Sequence, residues 1–185
     1  MTTDGKLRIV RCHPTRLDAL VAFVAAHNGT PEHHIGYFGL SPEDVRQSIL
    51  MLNLRYDRGF RLALRGNHIV GVMGVDFDRE IGRAWLYGPL VIDPDWAAVA
   101  DALYDAVLKS IPASIVEQEM FVDAANINSH EFAARHGFAE HGANVRLVPG
   151  PLAGLGAILV SAPQEERVER VGQFERLVDR FETDP

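Results

Sequence analysis

The sequence has a single cysteine, no long apolar run and no excess of positive charge. One cysteine among 185 residues excludes an intrachain disulfide and is typical of a reducing compartment. No apolar stretch reaches the ~20 residues of a membrane-spanning helix, and the amino terminus has no apolar core of signal-peptide length. Acidic residues outnumber basic ones by 25 to 18, for a net charge of −7. We therefore expect a cytoplasmic protein whose partners are neither nucleic acids nor membranes.

The composition is that of an ordinary globular domain, with 47% apolar and 23% charged residues. Cys12 follows the apolar start of the first strand, so we expect a buried small hydrophobe rather than a nucleophile. His33 and His34 are adjacent and would point apart on an extended chain. Because no cysteine or carboxylate pair at ligand spacing accompanies them, we expect no metal site.

The first third of the chain predicts one strand and two helices. Leu7–Cys12 alternates as a strand does, and apolar residues within 17–24 follow at helical spacing. A second helix is predicted to begin at Ser41, with Pro42 in its first turn and Asp44 at the third position.

The middle of the chain predicts antiparallel strands. Phe60–Arg65 and His68–Val75 are joined by Gly66-Asn67, and a glycine first in a two-residue loop favours a type II′ hairpin. The charged segment Asp76–Gly82 is predicted to be the turn into the next strand.

A strand–helix–strand–helix unit follows. The apolar run Trp85–Ile92 leads through Asp93-Pro94-Asp95 into a helix whose apolar residues recur from position 96 to 111. Met120–Val122 is predicted as a second strand, followed by a short helix that ends at Gly137. Such a crossover joins parallel neighbouring strands, and ligands bind where their carboxyl ends separate.

The last part of the chain predicts an extension. A strand at Ala143–Val148 would close a domain spanning residues 1–148, and Pro149-Gly150-Pro151 marks a break before an extension at 149–185. A further strand is predicted at Ala157–Val160. Within Pro163–Phe181, apolar residues spaced three and four apart predict an amphipathic helix. That helix either docks on its own domain or forms a homodimer.

This order of elements resembles the GCN5-related N-acetyltransferase (GNAT) family over about Leu7 to Val148. The resemblance depends on the Ile69-Val70-Gly71 strand, the strand end Val91-Ile92-Asp93-Pro94, and Asn126 followed eleven residues later by Gly137-Phe138. It implies an α/β (α+β) fold: a mixed, mainly antiparallel central sheet with helices on both faces and one parallel crossover.

The resemblance also implies acetyl-CoA as co-substrate and no metal. In the family, the coenzyme lies in a V-shaped opening between the fourth and fifth strands, with its pyrophosphate on main-chain N–H groups at the start of the next helix. The positions of this chain that correspond to the coenzyme site are Leu90, Val91, Ile92, Trp96, Ala97, Ala98, Asn126, Phe132 and Arg135.

The family transfers the acetyl group by direct attack of an amine on the thioester, with a base for the amine and a tyrosine that protonates the thiolate. At the family's tyrosine position this chain has Ala133, and its fourth strand carries no glutamate. Tyr87 is the strand's titratable group and our catalytic candidate; it otherwise fits an ordinary amphipathic strand. The segment that would cover the acceptor contributes His33, His34, Tyr37 and Phe38.

The chain departs from the family at the phosphate loop, which lacks the usual glycines and arginine. Asp93 followed by Pro94 predicts an ordinary helix cap, whose carboxylate would take the N–H groups that a phosphate needs. Two functions follow. The first is an acyl-CoA-dependent N-acetyltransferase acting on a small-molecule amine. The second is a catalytically inactive binding or assembly module that has lost the coenzyme.

Overall fold

A computed structural model describes residues 5–139 of the chain. Their centre is one five-stranded sheet in the order β1-β2-β3-β4-β5. Neighbours from β1 to β4 are antiparallel, and β5 is parallel to β4. The predicted mixed, mainly antiparallel α/β fold with one parallel crossover is confirmed. The strands are β1 (Leu7–Arg11), β2 (Arg61–Arg65), β3 (His68–Asp78), β4 (Arg83–Val91) and β5 (Glu117–Met120).

Helices cover both faces of this sheet. Leu20 and Val24 of α1, with Val45 and Ile49 of α2, belong to one core cluster with inward-facing sheet residues such as Leu62. On the other face α4 packs so closely that a Cβ added to Gly71 of β3 would lie 3.2 Å from Leu103. The helices are α1 (Leu17–His27), α2 (Pro42–Leu50), α3 (Tyr56–Gly59), α4 (Trp96–Leu108) and α5 (Ile127–Arg135). None of the helices within residues 5–139 is long and apolar enough to cross a membrane.

Local sequence signals fix several of these elements. The Ser41 hydroxyl accepts a hydrogen bond from the Asp44 N–H, and the Asp44 carboxylate accepts one from the Ser41 N–H, which is the predicted start of α2. Gly66 has a φ of +60° between β2 and β3, as the first residue of a type II′ turn requires. Cys12 is fully buried, as predicted.

The structure corrects two boundaries. β3 continues to Asp78 instead of ending at Val75, because the buried Asp76 carboxylate accepts the main-chain N–H groups of Asn53 and Leu54 and so belongs inside the fold. The second strand of the crossover, β5, begins at Glu117 rather than at Met120, since its polar residues pair with the first half of β4. The short helix α3 was not predicted. The predicted strands Ala143–Val148 and Ala157–Val160, and the helix Pro163–Phe181, lie outside the described residues.

Candidate active site between the fourth and fifth strands

β5 pairs with only the first part of β4. Pairing joins Arg83–Leu86 to Glu117–Met120 and stops there. The register between β3 and β4 shifts beyond Val72, where Gly88 and Pro89 form a bulge and Gly88 has a φ of +127°. A bulge bends its strand and re-aims the residues that follow. From Tyr87 to Val91 the outer edge of β4 is therefore not covered by β5.

The uncovered edge presents main-chain groups. The N–H of Ile92 donates to the Val70 oxygen of β3 at 2.9 Å. Because successive residues of a strand face opposite edges, the N–H and C=O of Val91 face the opening. Leu90 and Val91 are each only 1% exposed as whole residues, main chain included, so the Val91 groups face the opening without being open to solvent.

The opposite wall comes from the segment His34–Tyr37, between α1 and α2. The Glu117 N–H donates to Gly82 on the β4 side, so regular alternation turns the Phe121 carbonyl toward the same edge. That carbonyl accepts the Gly36 N–H at 2.7 Å. A Cβ at Gly36 would collide with the Phe121 ring, so only glycine permits this approach. The segment thus lies along β5 where β4 has departed.

A buried asparagine that the sequence analysis missed holds this segment in place. Asn28 is 0% exposed, and its side-chain oxygen accepts the Ile35 N–H at 2.7 Å. Its amide nitrogen donates to the Gly39 oxygen at 3.2 Å. An asparagine just after a helix is common for conformational reasons alone, so its sequence position gave no signal of this role.

The structure brings two of the four predicted acceptor residues to Tyr87. The ring centroid of Tyr37 lies 5.1 Å from that of Tyr87, and Phe38 packs behind at 5.5 Å while only 2% exposed. His33 instead contacts the His27 ring at 6.3 Å. His34 hydrogen-bonds through Nδ1 to the Asn28 oxygen at 2.9 Å. The role of all four in binding an acceptor stays a prediction.

Both tyrosines at the opening remain protonated at neutral pH. Burial, helped by the negative charge of Asp76, raises the pKa of Tyr87 to about 12. Burial and the hydrogen bond to Glu119 raise the pKa of Tyr37 further. A phenol with a raised pKa donates a hydrogen bond or a proton but does not act as a base near pH 7. Among residues 5–139, the Tyr87 hydroxyl has no hydrogen-bond partner.

The predicted helix cap at Asp93 is wrong. The Asp93 carboxylate, whose side chain is 1% exposed, forms two hydrogen bonds with the Arg65 guanidinium of β2 and a third with the Asp95 N–H. The guanidinium lowers the pKa of Asp93. The residue at the cap position is Asp95, and its side chain makes no capping hydrogen bond. The Asp93 carboxylate therefore binds Arg65, 28 residues earlier in the chain, instead of the first N–H groups of α4.

The start of α4 is consequently open. Its first intrahelical hydrogen bond runs from the Val99 N–H to the Asp95 oxygen at 3.1 Å, so the N–H groups of Trp96, Ala97 and Ala98 have no helical acceptor. Ala97 and Ala98 are both exposed. Unpaired N–H groups at a helix start, together with the helix dipole, favour an anion.

A pocket of about 410 Å³ opens at this helix start. One side is formed by residues 94–98, and the other by Asn128, Glu131 and Arg135 of α5. The carboxylate of Asp95 is 75% exposed and lies 3.3 Å from Arg65, which offsets part of its charge. The small alanines leave room near the main chain where the family has glycine. The open N–H groups suit a phosphate, whereas the Asp95 and Glu131 carboxylates in the same lining oppose one, so phosphate binding at this pocket stays a prediction.

The remaining predicted coenzyme residues position α5. Asn126 is 2% exposed, accepts the Ser129 N–H at the start of α5 and donates to the His34 oxygen at 3.4 Å. Phe132 is fully buried against Trp96 and Tyr104 of α4. Arg135 lies at the pocket and pairs with Asp101 at 3.0 Å. Direct coenzyme contacts by these residues stay a prediction.

Known structures share this architecture. No protein-family model and no curated protein sequence matches the chain. An aminoglycoside N-acetyltransferase solved with CoA is similar to it at 15% identity and a TM-score of 0.54, over 82% of this chain and 99% of that one.

Two further structures agree. A possible acetyltransferase from Clostridium difficile 630 gives a TM-score of 0.54 at 12% identity, over 80% of this chain and 99% of that one. A GNAT-family acetyltransferase from Streptococcus pneumoniae gives 0.52 at 16% identity, over 78% and 93%. The structural similarity establishes the fold, and at these low identities the activity has to be argued from the site. The chain has the fold of the GCN5-related N-acetyltransferase family, as its sequence motifs indicated.

Proposed function

We propose that this protein is an acyl-CoA-dependent N-acetyltransferase that transfers an acetyl group to the amine of a small molecule by direct attack. The open start of α4 is the observation that carries the proposal. It adjoins a pocket and lies next after the uncovered edge of β4 along the chain. A neighbour with this fold is named as an aminoglycoside N-acetyltransferase in complex with CoA, which supports both the coenzyme and an amine acceptor.

Each part of the proposed site would have its own role in binding the coenzyme. Acetyl-CoA supplies an activated acetyl group as a thioester. The N–H groups of Ala97 and Ala98, with Arg135, would hold its pyrophosphate, and the Val91 backbone would pair with its pantetheine amides. In the transfer, the amine nitrogen forms the new C–N bond and the C–S bond breaks. The ammonium first gives one proton to water, the attacking nitrogen loses a second to water, and the departing thiolate gains one from an acid that solvent reprotonates.

Tyr87 is our candidate acid for the leaving thiolate. Its hydroxyl remains protonated, and it lies at the end of the paired part of β4, where the opening begins. Holding acetyl-CoA and the amine side by side supplies a large part of the rate acceleration by itself. Transfer therefore does not require the tyrosine that the family has at the position of Ala133. Tyr87→Phe should lower kcat by about 10²-fold with KM for the coenzyme unchanged.

The test is the thermal stability of the full chain with and without millimolar acetyl-CoA, followed by calorimetric titration. A ligand at 100 times its Kd stabilises the folded state by about 2.7 kcal/mol and raises Tm by several degrees. An acceptor screen that follows CoA release would then establish turnover. No shift in Tm and no heat of binding would overturn the enzyme proposal and favour the binding module.

A further inference from the structure

The face of the sheet beside Tyr37 carries the partly exposed carboxylate of Glu119. Glu119 of β5 stands opposite Trp85 of β4 in the sheet register. Its Oε1 atom accepts the Tyr37 hydroxyl at 2.7 Å, which fixes the carboxylate at the opening. The Glu119 side chain is still 45% exposed, so a ligand can reach it.

The neighbouring cation leaves Glu119 largely uncompensated. Arg83 donates two hydrogen bonds to Glu117 Oε2, at 2.9 and 2.7 Å. Its contact with Glu119 Oε2 is longer, at 3.5 Å. Arg83 therefore neutralises Glu117 first, and the pair of glutamates keeps one net negative charge. A carboxylate has about four acceptor positions, so Glu119 can accept from an ammonium while Tyr37 remains bound.

Aromatic rings surround this charge. Tyr37 contacts the Tyr87 ring at 5.1 Å and the Phe121 ring at 5.8 Å, and all three residues are half-buried. Ring faces attract cations and pack against apolar carbon. A carboxylate at the edge of three rings matches a molecule with one ammonium group and an apolar body.

We propose that Glu119 binds the protonated amine of the acceptor, that Tyr37 positions its carboxylate, and that the rings of Tyr37, Tyr87 and Phe121 receive the acceptor's apolar body. The acceptor class is then a primary amine on a short aryl or alkyl chain. This inference rests on the proposed acetyltransferase function, since it assigns the second substrate of the same site. Nothing in the local sequence of β5 indicated it, because a partly exposed glutamate on a short strand is ordinary.

The experiment compares phenethylamine with its neutral analogue 2-phenylethanol, binding each to the full chain by ligand-observed NMR titration without coenzyme. The wild-type protein should bind the amine about tenfold more tightly than the alcohol. Glu119→Gln keeps the shape of the side chain and should reduce that ratio to about one. Arg83→Gln should raise the ratio, because it removes the competing cation.

Two further variants test whether the position of the charge and the Tyr37 hydroxyl matter, rather than the net charge of the protein. Glu80→Gln removes the same charge from the exposed turn after β3 and should leave the ratio unchanged. Tyr37→Phe retains the ring, loses the hydroxyl and should lower the ratio by about threefold. Equal binding of amine and alcohol by the wild type, absence of amine binding, or an unchanged ratio in Glu119→Gln would overturn the proposal. Acetyl-CoA binding is titrated separately. If the wild-type protein does not bind acetyl-CoA, the coenzyme function is overturned, and the comparison of amine with alcohol still tests the role of Glu119.

Discussion

The starts of α2 and α4 look alike in sequence and differ in structure. Each has a capping residue followed by proline, Ser41-Pro42 in one case and Asp93-Pro94 in the other. At α2 the serine and Asp44 satisfy each other's N–H groups. At α4 the aspartate binds Arg65 instead, and the helix begins at Trp96 without a side-chain cap.

This difference distinguishes a helix start that serves the fold from one that remains available to a ligand. Closing the N–H groups of α2 stabilises a helix whose end faces solvent. Leaving those of α4 open costs the cap, typically about 1 kcal/mol, and provides donors beside the pocket. Arg65 is what separates the two outcomes, because it holds Asp93 away from the helix.

The largest effect should come from removing that aspartate. Within residues 5–139, Asp93→Ala leaves the half-buried Arg65 with only the Gly5 oxygen and Asp95 as partners, and it removes the acceptor for the Asp95 N–H. We expect the free energy of unfolding to fall by about 2–3 kcal/mol. Urea denaturation measures this. Asp95→Ala is the matched control and should cost less than about 0.5 kcal/mol, since its carboxylate is exposed. Equal losses for the two variants would mean that the Arg65–Asp93 pair stabilises the fold no more than the Arg65–Asp95 pair.

Giving α4 the cap region of α2 should damage coenzyme binding. Ala98→Asp places a carboxylate at the third position of α4, as Asp44 is placed in α2, where it competes with phosphate for the same N–H groups. We expect acetyl-CoA binding to weaken by about tenfold or more, with stability unchanged or slightly increased. Calorimetric titration gives the Kd, and Ala98→Ser is the neutral control. Unaltered affinity would show that the phosphates bind elsewhere.

Opening the start of α2 should affect stability alone. Ser41→Ala removes the acceptor for the Asp44 N–H and should lower the free energy of unfolding by about 1 kcal/mol. Chemical denaturation tests this, while the Kd for acetyl-CoA should not change. A weakened coenzyme affinity would link the two helix starts, contrary to the comparison.

Acidification should give the smallest effect. The Arg65 hydrogen bond lowers the pKa of folded Asp93, so its stabilisation is present above the ordinary carboxyl pKa of about 3.9 and is lost as pH falls through the lower folded value. The difference in urea midpoint between the wild type and Asp93→Asn should therefore be constant from about pH 7 to 5 and shrink below about pH 4. A difference that grows on acidification would contradict this assignment.

Local patterns predicted the elements well, and contacts between distant residues account for the rest. The Ser41 cap and the Gly66 turn follow from residues within a few positions of one another, and the crossover follows from the order of strand and helix patterns along the chain. The Arg65–Asp93 pair spans 28 positions and the Tyr37–Glu119 hydrogen bond spans 82. No periodicity or spacing reveals such partners, since they depend on which strands become neighbours.

Position within the expected fold grouped Tyr37 and Phe38 with His33 and His34 as acceptor candidates, and of these only Tyr37 and Phe38 have rings against Tyr87. The residues of the segment between α1 and α2 share that position, but main-chain direction decides which side chains reach the opening. Asn28 sets this direction through three hydrogen bonds, and its contribution lies in the folded backbone rather than in any motif.

The uncovered edge of β4 has a consequence for how this protein diverges in sequence. Every residue except proline carries the same N–H and C=O groups, so a ligand that pairs with this edge reads the backbone and ignores the side chains. Substitutions that keep the buried positions of such a strand apolar do not alter what its main chain offers. A chain can thereby lose the glycine-bearing loop by which relatives are recognised and still align in three dimensions at 15% identity.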